Sequence, residues 1–285
     1  MLNLVRPKHW IKNFLVFAPL FFAWTFTAST FVTALMAFVA FSATASSIYV
    51  INDLADADAD RRHPEKKNRP IAAGTVSPTK AQVIIAVLII IALLGSFSLP
   101  LGFQLTILGY FVLNLLYSFY LKKRPIIDVM ILATGFVLRI IGGGFAFGIS
   151  LSPWILLCTF FASLFIGFGK RKNETDVLQA DSHHHRAVLE HYTPDFINQL
   201  LGITAAMTIM SYSLYTIDVT TLAHFGHKNL VYSVPFVVYG VFRYFHLMYN
   251  RSSGGDPTKV FLSDTPLILD TLAWLISFGI LSHFF

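Results

Sequence analysis

The chain has 285 residues, of which 55% are hydrophobic and only 13% are charged, and its mean hydropathy is +0.64. Soluble domains carry about 25% charged residues, so this composition excludes an ordinary soluble enzyme and predicts an integral membrane protein. The formal net charge is +6. Because the basic residues are spread over loops between apolar segments, the charge does not indicate a nucleic-acid partner.

Nine apolar segments are long enough to cross a bilayer, which takes about 20 mostly apolar residues in a helix. Four of them begin near Pro100, Pro125, Pro153 and Pro266, and proline is favoured in the first turn of a helix. The sequence therefore predicts an all-α integral membrane protein with nine transmembrane helices and one domain over residues 1–285. The predicted spans are 13–28, 31–51, 80–97, 101–121, 126–147, 152–169, 198–217, 230–249 and 266–285.

Nearly all of the 21 lysines and arginines fall in the N-terminal segment or in every second loop. The side of the membrane that carries this excess is normally the cytoplasmic one. We therefore expect a multi-pass protein of a bacterial-type cytoplasmic (inner) membrane, with its N-terminus in the cytoplasm. Lys228 is the one basic loop residue on the other side, and Arg139 and Arg243 lie inside spans.

The second predicted span ends in a dense run of aspartates. At 100° per residue, Asn52, Asp53, Asp56 and Asp60 share one helix face about 100° wide, while Asp58 points away. Neighbouring carboxylates repel one another, but oxygen ligands of this kind suit Mg²⁺. The four residues on the shared face are therefore the predicted metal ligands, and the three aspartates among them are the predicted catalytic residues.

The aspartates also have a simpler interpretation, in which they end a solvated helix and pair with the basic residues that follow. Their one-sided spacing and their position at the cytoplasmic end of a span favour the metal site.

The motif N-D-x-x-D-x-x-x-D over residues 52–60 resembles the first aspartate-rich motif of the UbiA-type intramembrane prenyltransferases. That resemblance implies a nine-helix bundle and Mg²⁺ that binds the diphosphate of a donor substrate. Further stretches are similar to one branch of the family, the decaprenyl-phosphate phosphoribosyltransferases. These stretches are RPKHWIKN (6–13), HPEKKNRPIAAG (63–74), YSFYLKKRPIIDVMILATGFVLRIIGGG (117–144) and GKRKNE (169–174).

The resemblance to this branch implies a reaction. It transfers 5-phosphoribose from phosphoribosyl diphosphate (PRPP) to a polyprenyl (decaprenyl) monophosphate and releases diphosphate, a step that feeds cell-envelope lipid donors. The implied partners are PRPP, the polyprenyl phosphate, the membrane and a second copy of the chain in a homo-oligomer. The acceptor phosphate has a second pKa near 6, so it needs no dedicated general base.

The family's second motif is normally a pair of acids after the sixth span, and this chain departs from it. Lys170 stands where the first acid is expected, and Glu174 is its i,i+4 neighbour. The departure weakens a second aspartate-bound Mg²⁺ and supplies cations for additional phosphate groups. Lys170, Arg171 and Glu174 are therefore predicted to bind substrate.

Other polar residues are predicted to bind substrate, each with an alternative. Lys8 and Lys12, on one helix face, are either surface anchors or one wall of the phosphate site. Lys66 and Arg69 are predicted to hold phosphate oxygens, and Lys122 either does the same or serves topology alone.

Tyr117 is either an interfacial anchor or a substrate ligand. Asp128 and Arg139 share a face of the fifth span. Asp128 is expected to orient a ribose hydroxyl or a basic partner, and Arg139 is either a substrate ligand or structural.

Two further expectations concern structure. Arg243 and Asp270 lie at similar depth and are predicted to form an ion pair between spans eight and nine. The histidines at 183–185 are predicted to lie in a solvated loop.

Two other functions stay open on the sequence. One is prenyl transfer from a prenyl diphosphate to an aromatic acceptor, which would prefer a second acid-rich motif. The other is cation transport, although transport sites usually lie near the bilayer midplane, whereas this acid cluster lies at one membrane face.

Overall fold

The computed structural model describes residues 2–61, 66–178, 187–226, 229–250 and 263–283, and within these ranges all regular structure is helical. The predicted all-α class is therefore confirmed there. The predicted histidine loop at 183–185 lies outside the described residues.

Eight helices within the described ranges are long and apolar enough to cross a membrane, and they coincide with eight of the nine predicted spans. Three of the predicted prolines lie at or next to helix starts: Pro100 precedes the helix Leu101–Phe119, Pro153 begins Pro153–Leu178, and Pro266 is the second residue of Thr265–His283. These long helices are α3 (Ala28–Ala55), α5 (Pro78–Phe97), α6 (Leu101–Phe119), α7 (Ile127–Phe147), α8 (Pro153–Leu178), α9 (Pro194–Ile217), α11 (Val234–Asn250) and α12 (Thr265–His283).

Short helical pieces fill the connections. The α-helical ones are α1 (Leu2–Val5), α2 (Ala18–Ala23), α4 (Ala57–Arg61) and α10 (Val219–Phe225). The 3-10 segments are Pro7–Phe17, Lys66–Asn68, Leu121–Lys123, Ala187–His191 and Asn229–Ser233.

The chain divides into two compact units. Unit 1 comprises Met1–Lys122 and Thr134–Leu151, and unit 2 comprises Lys123–Ala133 and Ser152–Phe285. The boundary passes through α7, so neither unit is a continuous stretch of sequence.

The first predicted span, 13–28, is not one regular α-helix. Pro7–Phe17 forms a 3-10 helix that leads into α2, and α2 ends at Trp24 in the left-handed conformation. A 3-10 helix repeats every three residues, and burial follows that period. Asn13, Val16 and Pro19 are buried, whereas Lys8, Ile11 and Phe14 are exposed.

Contacts with α3 explain why this segment is stretched. Arg6 reaches Asp53, and the Asn13 side chain donates to Ser42 Oγ at 3.0 Å. Between these contacts α3 covers eleven residues, about 16 Å at 1.5 Å per residue. The N-terminal segment comes close to this length with seven residues, which extend about 14 Å as a 3-10 helix but only about 10 Å as an α-helix. The 3-10 form therefore keeps both ends in register with α3.

Small residues let the helices of unit 1 approach closely. A Cβ placed on Gly95 of α5 would lie 3.5 Å from Ala40 Cβ of α3, the kind of contact that membrane helices use for packing. A Cβ on Gly143 of α7 would lie only 2.2 Å from the carbonyl oxygen of Val16. Gly143 thus provides the space in which the N-terminal 3-10 helix packs.

The core of unit 2 joins α7, α8, α9, α11 and α12 to the 3-10 segment Ala187–His191. Its largest members are aromatic, and Phe165 meets Tyr244 edge to face with ring centroids 5.4 Å apart. This packing fixes the end of α8 where the second motif lies.

The predicted ion pair between Arg243 and Asp270 is wrong. Arg243 instead makes two parallel hydrogen bonds to Asp264, at 3.1 and 2.9 Å. Asp264 also accepts the backbone N–H of Leu267 at 3.1 Å and so caps the start of α12. The cap position holds both carboxylate oxygens where a guanidinium binds them in bidentate fashion, whereas Asp270 packs against Gly240.

Candidate active site

The aspartates of the first motif lie where α3 passes into α4. Asp56 is the C-cap that follows α3, but the N–H of Asp60 still donates to the Asp56 carbonyl at 2.8 Å, so the helical turn continues. Asp53 and Asp60 consequently face the same way and are both buried, while Asp58 is exposed and pairs with Arg61. The predicted angular arrangement of these three aspartates is confirmed.

Basic side chains of unit 1 bind each aspartate on the buried face. Asp53, 2% exposed, accepts from Arg6 at 2.7 Å and from Arg69 at 3.1 Å. Arg69 also donates to Asp60 Oδ2 at 2.7 Å and thereby bridges the two carboxylates. Charge-assisted hydrogen bonds of this length are among the stronger ones in proteins.

Lys122 completes the cluster. Its Nζ donates to both oxygens of Asp56, at 2.9 and 3.1 Å. Three carboxylates thus face three cations, Arg6, Arg69 and Lys122, within one unit. Arg69 and Lys122, both predicted to bind substrate, lie in this cluster.

Sequence reasoning missed Arg6. It lies in the left-handed conformation before the 3-10 helix, with its guanidinium carbon 5.0 Å from the ring centroid of Tyr49. His9 joins the same corner, with Nδ1 3.3 Å from the Tyr49 hydroxyl. The stretch RPKHWIKN contains Arg6, but only its two lysines were predicted to bind substrate.

The prediction that Lys8 and Lys12 share a face is wrong. Residues four apart lie about 120° apart on a 3-10 helix, which has three residues per turn. Lys8 is exposed and Lys12 is half-buried.

Two other candidates are half-buried: Lys66 begins the turn leading to Arg69, and Tyr117 lies near the end of α6.

Arg139 lies in the interior of unit 1, with 5% of its surface exposed. It donates to the side-chain oxygen of Asn13 at 2.7 Å, to the Tyr110 hydroxyl at 2.8 Å and to the Gly135 carbonyl at 2.6 Å. Its guanidinium also lies over the Tyr110 ring, 4.7 Å from the centroid. These contacts favour the structural alternative, because they tie the N-terminal segment to α6 and α7.

The second motif forms a separate charged group in unit 2. Arg171 is 2% exposed and donates through Nε to Asp128 Oδ2 at 2.8 Å, and Asp128 is fully buried. Arg171 also donates to Glu174 at 2.5 Å. The basic-partner alternative for Asp128 is therefore the one observed, and Arg171 is enclosed between two carboxylates. Lys170 and Glu174 are half-buried.

Tyr192 belongs to this second group and was not predicted. Its hydroxyl donates to Asp128 Oδ1 at 2.7 Å. Burial raises the pKa of the Tyr192 hydroxyl, and the hydrogen bond to Asp128 raises it further, so the phenol keeps its proton at neutral pH. An aromatic residue 64 positions from Asp128 gives no sequence signal of such a contact.

Within the described ranges, no group of three or more histidine, cysteine or acidic side chains is arranged to hold a metal by itself. The carboxylates of the first motif are instead paired with Arg6, Arg69 and Lys122. The donor chemistry nevertheless fits Mg²⁺, which takes one or two carboxylates and fills its shell with water and substrate phosphate. Asn52, half-buried and directly before Asp53 in the chain, would offer an amide oxygen.

The fold and these clusters define a multi-pass helical membrane protein that presents acidic and basic side chains at the ends of its spans. Residues 13–265 match the UbiA prenyltransferase family, and the chain belongs to that family.

Several bacterial relatives are similar over nearly the whole chain. The decaprenyl-phosphate phosphoribosyltransferase of Corynebacterium glutamicum is 37% identical, with 96% of this chain and 84% of the relative covered. The decaprenyl-phosphate phosphoribosyltransferase of Mycobacterium tuberculosis is 33% identical, with 96% and 91% covered.

Solved structures share the fold. A UbiA homologue from Archaeoglobus fulgidus, bound to GPP and Mg²⁺, has a TM-score of 0.72 at 18% identity, with 99% of this chain and 98% of the other covered. A digeranylgeranylglyceryl phosphate synthase structure has a TM-score of 0.68 at 17% identity, with 99% and 96% covered.

Proposed function

We propose that this chain transfers 5-phosphoribose from PRPP to a polyprenyl monophosphate, with release of diphosphate. The observation that carries the proposal is the identity of 33–37% to decaprenyl-phosphate phosphoribosyltransferases over 96% of the chain. Prenyl transfer to an aromatic acceptor is the alternative function. It differs from the proposed one in its donor, which is a prenyl diphosphate and not PRPP.

The acidic cluster of unit 1 supports a role in binding the donor diphosphate. Asn52, Asp53, Asp56 and Asp60 would hold Mg²⁺, which when bound neutralises charge on the departing diphosphate. The cluster is rich in cations as well as acids, as a multiply phosphorylated substrate requires.

Arg6, Arg69 and Lys122 would bind phosphate oxygens. Their positive charges are balanced by aspartates in the absence of substrate, so they are held in place before the phosphate arrives. Arginine suits bidentate binding of phosphate and lysine acts as a point charge. Holding these groups in advance is the usual source of electrostatic stabilisation in such sites.

The acceptor needs little activation by the protein. A phosphate monoester is largely dianionic at neutral pH, so its oxygen attacks the anomeric carbon without a general base. The protein's contribution is then to orient donor and acceptor and to exclude water.

For the second motif, we propose that Lys170 and Glu174 contact substrate, while Arg171 and Asp128 hold that segment in shape. Lys12, Lys66 and Tyr117 stay proposed substrate ligands. Lys8 has the weakest case, because it lies on the exposed face of the 3-10 helix.

The topology is also proposed. The eleven residues of Pro7–Phe17 at about 2.0 Å each and the six of α2 at about 1.5 Å each extend about 30 Å, the thickness of a hydrocarbon core. They supply a ninth span and restore the alternation that puts the N-terminus and the active site on the cytoplasmic side, where a soluble sugar phosphate is available.

The experiment that tests the function supplies purified protein with Mg²⁺, labelled PRPP and polyprenyl phosphate, and measures label in the organic phase. A parallel reaction contains a prenyl diphosphate and 4-hydroxybenzoate. Label in the lipid with PRPP supports the proposal. Product only in the parallel reaction would identify the chain as an aromatic prenyltransferase. If neither reaction gives product, an ion-flux assay in sealed vesicles tests the transport alternative.

A further inference from the structure

The turn before α7 contains a strained residue. Ile126 has a φ of +66°, in the left-handed region. That conformation is unfavourable for a β-branched residue, whose side chain crowds the backbone, and it persists only where the surroundings enforce it. Strain of this kind is found most often at functional sites, so the contacts that enforce it are informative.

Tyr192 supplies such a contact. Its hydroxyl oxygen accepts the N–H of Ile126 at 2.7 Å and donates its proton to Asp128 Oδ1, also at 2.7 Å. One hydroxyl can do both, since it has one donor and two acceptor positions. Tyr192 is 3% exposed, so water does not readily replace either bond.

The same chain of contacts continues to the second motif. Asp128 uses its other oxygen to accept from Arg171, and Arg171 reaches Glu174. Every member of this chain lies in unit 2. The Tyr192 hydroxyl therefore links a strained backbone turn to the acidic residue near the end of α8.

The ring of Tyr192 has a different role from its hydroxyl. The ring packs between Phe168 and Phe196, with centroid distances of 6.4 and 6.3 Å. A phenylalanine would keep that packing and lose both hydrogen bonds. The two functions of the side chain can therefore be separated by one substitution.

We propose that Tyr192 is a positioning residue: its hydroxyl holds the turn at Ile126 and the Asp128–Arg171 pair in the arrangement that presents Glu174 to substrate. The inference rests on the proposed function, which assigns the end of α8 to substrate binding. Loss of the hydroxyl leaves the Ile126 N–H unsatisfied and lets the backbone relax from φ > 0, which shifts Asp128 and then Arg171.

The test compares Tyr192→Phe with Tyr212→Phe. Tyr212 is a matched control in the same unit, because it is 4% exposed and its hydroxyl also has two partners, Ser233 and Trp274. Both variants lose two buried hydrogen bonds, so both melting temperatures should fall by similar amounts. Only Tyr192→Phe should lower kcat/KM for PRPP transfer, by about ten- to a hundredfold, as small displacements at an active site do.

A second variant tests the strain itself. Glycine adopts φ > 0 without steric cost, so Ile126→Gly should recover part of the activity lost in Tyr192→Phe. The amide of residue 126 should also exchange faster with deuterium in Tyr192→Phe but not in Tyr212→Phe. Rescue and the selective change in exchange would support the inference.

Provided that the wild-type protein is active, the inference fails if Tyr192→Phe and Tyr212→Phe lower kcat/KM equally. It also fails if amide exchange at residue 126 is unchanged in Tyr192→Phe. It also fails if Ile126→Gly gives no recovery. A wild type inactive with PRPP would instead refute the proposed function, and the exchange measurement would still decide whether the hydroxyl holds the turn.

Discussion

Asp53 is the carboxylate on which the first motif is built. It binds two guanidinium groups, those of Arg6 and Arg69, from segments that lie before and after it in the chain. Asp53 is the buried member of both pairs, so loss of either arginine would leave its charge poorly compensated in a low-dielectric setting. The cluster therefore consists of opposite charges that compensate one another.

Arg6 and Lys8 provide a residue-level prediction. Arg6→Ala should raise KM for PRPP by about tenfold or more, because it removes a charge-assisted contact of the kind worth 1.5–3 kcal/mol. Lys8→Ala, two residues away on the exposed face, should leave KM unchanged. Steady-state kinetics of the two variants test this. Equal KM values for Arg6→Ala and Lys8→Ala would show that Arg6 does not bind PRPP.

Sequence reasoning predicted the residues whose positions depend on local periodicity. The face shared by Asp53 and Asp60, with Asp58 turned away, follows from 100° per residue and is observed. Contacts between residues distant in sequence were not predictable in the same way. Arg171 and Asp128 are 43 residues apart. The sequence is compatible with several partners for each residue, and only the packing of the helices determines that they bind each other.

At the level of helices, the N-terminal segment shows how packing overrides the default conformation. An α-helix is the usual solution for an apolar stretch, but the register with α3 needs a longer rise per residue. Neither hydropathy nor residue spacing carries that information, because it depends on where Ser42 and Asp53 lie on another helix. The same α-helical expectation placed Lys8 and Lys12 on one face, which the 3-10 geometry does not.

Gly143 provides the prediction for this segment. Gly143→Ala should destabilise the protein by about 1–3 kcal/mol, the usual cost of overpacking, because its Cβ would collide with the Val16 carbonyl. Gly109→Ala is the control, since nothing lies within 4 Å of the added carbon, and alanine in a helix should stabilise by about 0.5–1 kcal/mol. Thermal unfolding in detergent compares them. Equal shifts would contradict the close packing at Gly143.

The start of α12 gives a second prediction at this scale. Asp264→Asn keeps an oxygen for the Leu267 N–H but loses the ion pair with Arg243. Asp264→Ala loses the cap as well, which should cost about 1 kcal/mol more. Asp270→Asn should have little effect by comparison. Melting temperatures in the order Asp270→Asn, Asp264→Asn, Asp264→Ala, from highest to lowest, are expected. An effect of Asp270→Asn as large as that of Asp264→Ala would reinstate the original pairing.

For the whole molecule, the division into two units bears on the predicted single domain over residues 1–285. The boundary lies within α7, and each unit contains two separate stretches of chain. We propose that the chain is nevertheless one folding domain, because a helix that belongs to both units cannot melt in one alone. A homo-oligomer stays a proposal, to be tested by chemical cross-linking in membranes.

Cooperative unfolding tests the single domain. Circular dichroism and the fluorescence of Trp10 and Trp274, one in each unit, should report the same midpoint, as expected for a two-state transition. Variants that keep only one of the chain's four tryptophans, either Trp10 or Trp274, provide the separate signals. Two midpoints, one for each tryptophan, would show that the units unfold independently.

The metal-diphosphate site depends on the aspartates between Asp53 and Asp60, and one matched pair of variants tests it. In the PRPP assay, Asp60→Asn should lower turnover by at least about a hundredfold, the usual cost of losing one electrostatic contact to a reacting group, without unfolding the protein. Asp58→Asn, two residues away and exposed, should retain nearly full activity. Near-normal turnover in Asp60→Asn, or equal losses in both variants, would contradict the metal-diphosphate site.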